Sequence, residues 1–259
     1  MGEATDPNTS GFTCNICGAQ CLVAHSHLQR EVASCASCGS TPRARAIIRA
    51  LSLGLFGQNI VLPEFPVNRE ISGLGMSDWE GYAARLADKF WYTNTYYHKE
   101  PRLDIASRDI PESLVQSSDF VISSEVFEHV VPPVGRAFEN IFKMLKPGGL
   151  LVLTVPYGAR KETIEHFPDL YDFTIIEDNG SYRLKNVTRS GEVQEFDDLI
   201  FHGGAGATLE MRIFGEGALL QHLADAAFEA ITVHRTPDFS HGIWWPEPWS
   251  LPITARRPR

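Results

Sequence analysis

Apolar residues along this chain fall into short compact runs separated by segments with helical spacing. Phe120-Val121-Ile122 and Leu150 to Val155 are such runs, as expected of strands covered on both faces of a parallel sheet. Between them, after Pro132 and Pro133, apolar residues stand at Val134, Ala137, Phe138, Ile141, Phe142 and Leu145, which is a helical period. Lys146-Pro147-Gly148-Gly149 stops that helix, because proline cannot continue it and glycine accepts a left-handed cap. Strand, helix and strand in this order predict an open α/β sheet whose ligands sit at the carboxyl ends of the strands. Upstream, Trp79 to Phe90 reads as a helix and Phe90 to Tyr96 as a strand. Downstream, Glu216 to Phe228 reads as a helix, with Ala230 to His234 and Ser250 to Ala255 as a closing antiparallel pair. Residues 157–212 interrupt the pattern as an insertion, with strands at Phe173 to Ile176 and Tyr182 to Leu184 and a Gly-rich run from His202 to Gly206.

The amino-terminal part follows a different rule. All five cysteines lie between residues 14 and 38. Cys14 and Cys17 form one Cys-x2-Cys pair and Cys35 and Cys38 another, the spacing of a tetrahedral zinc ribbon in which each tight turn offers two thiolates. Gly18 and Gly39 follow the second cysteine of each pair, where glycine relieves the turn. A closed four-thiolate shell predicts a structural zinc that supplies folding energy to a segment too short for its own core. A disulfide set is the competing reading, and Cys21 is either a spare thiol or a replacement ligand. Ser40 or Thr41 caps a following helix with Pro42 in its first turn. Arg43, Arg45 and Arg49 of that helix read as a solvated face or as a contact to an anionic substrate.

A length of 259 residues suits one α/β domain with a small appendage, and 43% hydrophobic residues suffice for a packed core. No apolar run is long enough to span a bilayer, and the polar start lacks a signal-peptide apolar region, so the expected location is cytoplasmic. A net charge of −9 makes nucleic acid an unlikely partner. The expected divisions are a disordered leader over 1–12, the ribbon over 13–41, a connecting helix and linker over 42–66, and the main domain over 67–259.

The run from Asp119 to Val130, D-F-V-I-S-S-E-V-F-E-H-V, followed by L-K-P-G-G and V-P, resembles the fourth and fifth motifs of class I S-adenosylmethionine-dependent methyltransferases. The likeness covers roughly residues 68 to 256. It implies a Rossmann-like sheet of seven strands with the last antiparallel, and S-adenosylmethionine as cofactor. Gly73 and Gly75 match the first two glycines of the family's cofactor turn, and Ser77 stands in the third place. Ile71 occupies the place of the usual acid, for which Asp78 is a substitute. Asn94 falls nearest the acid that holds the ribose, and Asp104 with Ile105 falls where the family contacts adenine. Ser123, Ser124 and Glu125 fall beside the methionine end.

Three readings stay open at the reactive end. His129, His166 or Glu125 acts as a general base for a hydroxyl acceptor. Alternatively, Glu125, Glu128, His129 and His166 hold a metal such as Mg2+, because E-x-x-E-H is similar to the string of small-RNA 3′-end 2′-O-methyltransferases. In the third reading His129 only shapes the cofactor pocket. Three of the five tryptophans lie between residues 244 and 249, and aromatic faces stack on sugar rings. The favoured reading is O-methylation of a sugar, glycan or other small molecule. An RNA methyltransferase with the ribbon as a basic clamp, a protein methyltransferase and a non-catalytic zinc-containing binding module are the alternatives.

Overall fold

The computed structural model describes residues 8–204, 206 and 208–259. Strands β1 (Thr9–Thr13) and β2 (Gln20–Ala24) form an antiparallel hairpin, and helix α1 (Pro42–Phe56) follows the cysteines. The main sheet is built from β3 (Ser72–Met76), β4 (Trp91–Thr95), β5 (Ser118–Ser124) and β6 (Leu145–Thr154), with α2 (Glu80–Lys89) and α3 (Gly135–Met144) as connections. The insertion contains β7 (Tyr157–Gly158), β8 (Ile164–Glu165), β9 (Asp172–Asp178), β10 (Ser181–Val187), β11 (Val193–Phe196), β12 (Phe201–His202) and β13 (Thr208–Leu209). The chain ends with β14 (Arg212–Gly215), α4 (Glu216–Asp225), β15 (Glu229–Val233) and β16 (Ile253–Arg256).

The main sheet runs in the order β15-β16-β6-β5-β3-β4. β3, β4, β5 and β6 are mutually parallel, and β16 is antiparallel to both of its neighbours, as the closing pair requires. The reversal between β3 and β5 is a topological switch point, which opens a crevice at the strand ends. Side chains alternate across the sheet. Phe120, Ile122, Leu150 and Val152 face α1, α2 and the ribbon, where they pack with Ile47, Leu51, Leu86 and Phe90. Val121, Leu151 and Leu153 face the other layer and pack with Phe138, Ile141, Leu219 and Leu223. Each fully buried side chain of this size contributes about 1.5–3 kcal/mol.

Several expectations change. The main sheet has six described strands rather than seven. Just beyond β4 an isolated bridge joins Tyr96 and Arg102, ahead of Leu103 to Ile105. There the Asp104 carboxylate accepts from Ala106 N–H at 2.9 Å, a local turn that competes with ladder pairing. The helix expected after Pro133 begins at Gly135, and Lys146 to Gly149 lie within β6 as a bulge between the Ser118 and Phe120 pairings. Glu128 and His129 belong to a single 3-10 turn, not to a helix. The leader expected over 1–12 overlaps β1, because Thr9 to Phe12 pair with Cys21 to Ala24. Its residues 1–7 lie outside the described residues, as does Ala205 of the Gly-rich run. No helix among the described residues is long and apolar enough to cross a membrane.

Candidate functional site

A cavity of about 540 Å³ opens at the carboxyl ends of β3, β4 and β5. Ser77, Asp104, Ile105, Glu125 and His129 line it, together with Tyr97, Phe173 and Ile175 as flat or apolar wall and His202 from the insertion. The insertion thus covers the strand ends. Its β9 presents Phe173 and Ile175, two residues apart and on one face, to the cavity.

Two loop residues that line it adopt the left-handed region, Ser77 with φ 57° and Glu125 with φ 56°. Such backbone in a non-glycine residue costs on the order of 1 kcal/mol and persists only where neighbours hold it. Around Ser77 the holders are visible. Ser77 N–H donates to Thr95 O at 2.7 Å, and the Asn94 amide grips the Asp78 backbone at both ends, each at 2.9 Å. Asn94 is therefore spent on the loop and does not line the cavity, in contrast to its expected place at a ribose.

The two glycines also have a different part. A Cβ on Gly73 would strike the Phe120 ring, and one on Gly75 would strike the Tyr92 hydroxyl and the Asp78 carboxylate. Both sit inside β3, and their small size admits interior side chains rather than a ligand in the cavity. Asp78 is buried beneath the loop; Tyr92 O–H donates to its Oδ2, while Oδ1 has no hydrogen-bond partner among the described residues. Burial pushes its carboxyl up to about 7, against the Tyr92 and Tyr82 hydroxyls that favour the charged form. Ser123 is also buried with an unpartnered hydroxyl, and Ser124 accepts from Thr154 Oγ1 at 3.1 Å.

At the reactive end the residues separate. Glu125 is held by Arg30, whose Nη2 and Nη1 donate to its two oxygens at 2.8 and 3.0 Å. Burial pushes the Glu125 carboxyl up, but the Arg30 hydrogen bond and charge, then Arg43, outweigh it and hold it below its ordinary range. That charge in turn acts on Glu128, whose two oxygens are buried without a partner among the described residues; burial first and Glu125 second push it up to about 8. His129 Nδ1–H donates to Leu209 O at 2.9 Å, which leaves Nε2 as the lone-pair nitrogen, 3.5 Å from Glu128 Oε1. Burial holds His129 below the usual imidazole value, with the Leu209 carbonyl opposing.

His166 does not join this group. Its Nε2 donates to Glu210 Oε1 at 2.8 Å, outside the cavity wall. His202, unassigned from the sequence, takes its place: His202 Nε2 lies 3.0 Å from Glu210 Oε2, and its ring meets that of His129 edge-on at 4.8 Å. Glu128, His129 and His202 bring one ligand atom each to within 4.8 Å of one another. Neither Glu125 nor His166 belongs to this cluster; Arg30 holds Glu125, and Glu210 bridges His166 and His202 through its two oxygens. His202 sits in a Gly-rich run with no periodicity, so only the fold could pair it with His129.

A second cluster lies in the ribbon. The sulfurs of Cys14, Cys17, Cys35 and Cys38 lie within 4.8 Å of one another, and all five cysteines are free thiols. The two turns match: Gly18 N–H donates to Cys14 O at 2.8 Å and Gly39 N–H to Cys35 O at 2.7 Å, with both glycines at positive φ. Burial pushes the Cys35 thiol up, yet backbone amides of Cys38 and Ser37 and the Cys21 thiol bring it down to about 6. Arg45 is fully buried beside the cluster and donates to Ser40 O, Ser40 Oγ, Ser34 Oγ and Gly242 O at 2.8 to 3.0 Å. No carboxylate pairs with it among the described residues. A four-thiolate metal shell would carry the missing negative charge, so the donor set and its surroundings fit zinc.

The arginines expected on one basic face are dispersed. Arg45 is interior, Arg49 pairs with Asp238 at 3.1 Å, and Arg43 binds Glu31 at 2.7 and 2.8 Å. They form no open patch for an RNA clamp.

Comparison with known proteins gives the family. A search of curated proteins finds no match. Among solved structures the chain is similar to a sugar N-methyltransferase from Streptoalloteichus sp., at 14% identity over 84% of this chain and 87% of that chain, with a TM-score of 0.47. An amino pentose methyltransferase from Micromonospora echinaspora shows 12% identity over 83% and 90%, with a TM-score of 0.43. A methyltransferase in complex with the Trm112 activator from Haloferax volcanii shows 16% identity over 83% and 91%, also with a TM-score of 0.43. The family model described as a methyltransferase domain matches residues 28–182, more than half of the chain and the stretch that contains β3 to β6 with Ser77, Asp104, Glu125 and His129 of the cavity wall, so this protein belongs to that methyltransferase family.

Proposed function

We propose that the chain transfers a methyl group from S-adenosylmethionine to a hydroxyl of a sugar, glycan or other small molecule. One observation carries the reading: a single cavity joins Ser77 and Asp104 at the strand ends to His129 and His202 at the reactive end. S-adenosylmethionine, when bound, supplies a methyl group on a sulfonium whose departure needs no proton. Asp104 is oriented by the Ala106 amide and suits an adenine amine, with Ile105 packing on the ring. Ser77 and Glu125 suit the polar end of the donor, while Asp78, Ser123 and Ser124 lie behind that wall.

On the acceptor side, Tyr97, Phe173 and Ile175 offer flat and apolar wall to a ring-shaped acceptor. Among the described residues no lysine or arginine lines the cavity; Lys99 and Arg102 stack on Tyr96 and Tyr97 at its edge, so a phosphodiester would find no direct counter-charge in the wall. His129 is neutral near pH 7 with its Nδ1–H fixed, and its Nε2 accepts the acceptor's proton as the methyl group arrives. The test is methyl transfer to a panel of sugars, amino sugars and small phenols. His129→Gln should lower turnover by about 10²–10⁴-fold with donor affinity retained. Equal turnover in the variant would remove the general base.

The cluster of Glu128, His129 and His202 supports a second reading, in which a divalent cation polarises the acceptor hydroxyl. Two imidazoles and one carboxylate suit a transition metal better than Mg2+. Calorimetry with Mn2+ or Zn2+, compared with His202→Gln, separates this reading from the metal-free one. We further assign the four ribbon cysteines to a structural zinc.

A further inference from the structure

The segment between the two cysteine pairs reaches into the wall of the cavity. Arg30 lies between Cys17 and Cys35, and its guanidinium grips both oxygens of Glu125 while its Nε donates to Ser250 O at 3.0 Å. Arg43, in the first turn of α1 just beyond the second pair, donates through Nη1 to Ser124 Oγ and through Nε and Nη2 to Glu31. Arg43 N–H donates to Arg30 O at 3.2 Å, so the two side chains share one backbone frame. On the other side, Glu125 N–H donates to Thr154 O at 2.9 Å and Thr154 Oγ1 donates to Ser124 Oγ at 3.1 Å. Four separate parts of the chain therefore meet at Ser124 and Glu125.

The geometry explains why such a clamp is needed. Glu125 has φ 56° at the carboxyl end of β5, a conformation that favours glycine, and it lines the cavity there. Its carboxylate is half-buried in that wall, and the Arg30 guanidinium supplies the charge that offsets its loss of water. Planar bidentate pairing fixes direction as well as charge, which a lysine ammonium does not do. Both residues belong to the cysteine segment or its exit, so the ribbon braces the β5 wall of the cavity.

We infer that Arg30 and Arg43 are positioning residues of the methyl-donor site, holding Ser124 and Glu125 in the turn that forms one wall of the cavity. The inference rests on the donor reading given above. It assigns the two arginines no contact with donor or acceptor; they act through the β5 turn. A misplaced wall weakens binding of both the donor and its demethylated product, because both use the same turn.

The test is calorimetric titration of the full, zinc-quantified chain with S-adenosylhomocysteine. Arg30→Ala should raise Kd by about tenfold or more, with zinc content unchanged. Arg30→Lys should restore only part of the affinity, because an ammonium lacks the planar fork that pairs both Glu125 oxygens. In a Glu125→Gln background Arg30→Ala should add little further loss, since both act on one turn. A purely structural role would lower the melting temperature and leave Kd where it was. Wild-type affinity in a folded Arg30→Ala overturns the inference while the donor reading stands. No binding by the wild-type chain overturns the donor reading and the inference together. Should Arg30→Ala not fold, Arg30→Lys and Glu125→Gln take its place, and Kd values within about twofold of wild type for both overturn it.

Discussion

Asp78 illustrates how much one residue's environment decides here. The folded state binds its proton more tightly than the unfolded chain does, because burial lifts the carboxyl from an ordinary 3.8 to about 7. Stability from this group is therefore full below the unfolded value and is lost as pH rises through the folded one, with a slope of up to about 1.4 kcal/mol per pH unit. Asp78→Asn should flatten urea-unfolding stability across that window and make the ligand-free protein more stable than wild type above it. Unchanged pH dependence would show that Asp78 is ionised in the fold. Gly75 bears on the same spot. Gly75→Ala places a Cβ against the Tyr92 hydroxyl and the Asp78 carboxylate, and should cost about 1–3 kcal/mol by denaturant titration. A neutral result would mean that the strand, and not the side chains, yields. Both residues were legible in the sequence as a Gly-x-Gly turn with a nearby acid, but their physical part was not. A glycine that admits a ligand and one that admits a neighbouring ring look identical in a string of letters, and only Phe120 and Tyr92 in place distinguish them.

At the scale of elements, the sheet and its helices followed directly from periodicity. Phe120 and Ile122 against Val121 show why a continuous apolar run means two covered faces. The cysteine pairs were equally plain, since the two-residue spacing and the following glycines encode the turns themselves. What the sequence did not disclose depends on contacts between distant parts. Seven strands were expected from the resemblance, yet the main sheet has six described strands, and beyond its β4 edge Asp104 closes a turn with Ala106. His166 was the obvious partner for His129 by motif, yet Glu210 holds it and brings His202 forward instead. Arg30 lies in a polar stretch with no period, and nothing local connects it to Glu125, ninety-five residues away. The ribbon's coupling to β5 carries a prediction. Chelating the proposed zinc, or Cys38→Ser, should lower the melting temperature of the whole domain, because Cys14 and Ile16 are buried in the same cluster as α1 and β6. Melting that is indifferent to chelator would mean the thiols pack without a metal.

For the whole molecule, an acidic chain with a net charge of −9 surrounds a cavity with no lysine or arginine among the described residues of its wall. Arg43, Arg45 and Arg49, which would have made the ribbon a basic clamp, are turned inward onto Glu31, the cysteine cluster and Asp238. Charge at both scales therefore favours a small uncharged or amine-bearing acceptor over a polyanion. The strand ends and the insertion line one chamber, whose β5 wall is gripped by Arg30 of the ribbon; in the proposed reading the strand ends form its donor side and the insertion its acceptor side. The central claim is that this chamber binds S-adenosylmethionine. The most direct measurement is calorimetric titration of the zinc-quantified protein with S-adenosylmethionine, wild type against Asp104→Ala. Micromolar binding by the wild type, weakened at least several-fold in the variant, is the predicted result. No binding at millimolar ligand by a folded, zinc-loaded chain would contradict it and leave the fold as a zinc-containing binding module.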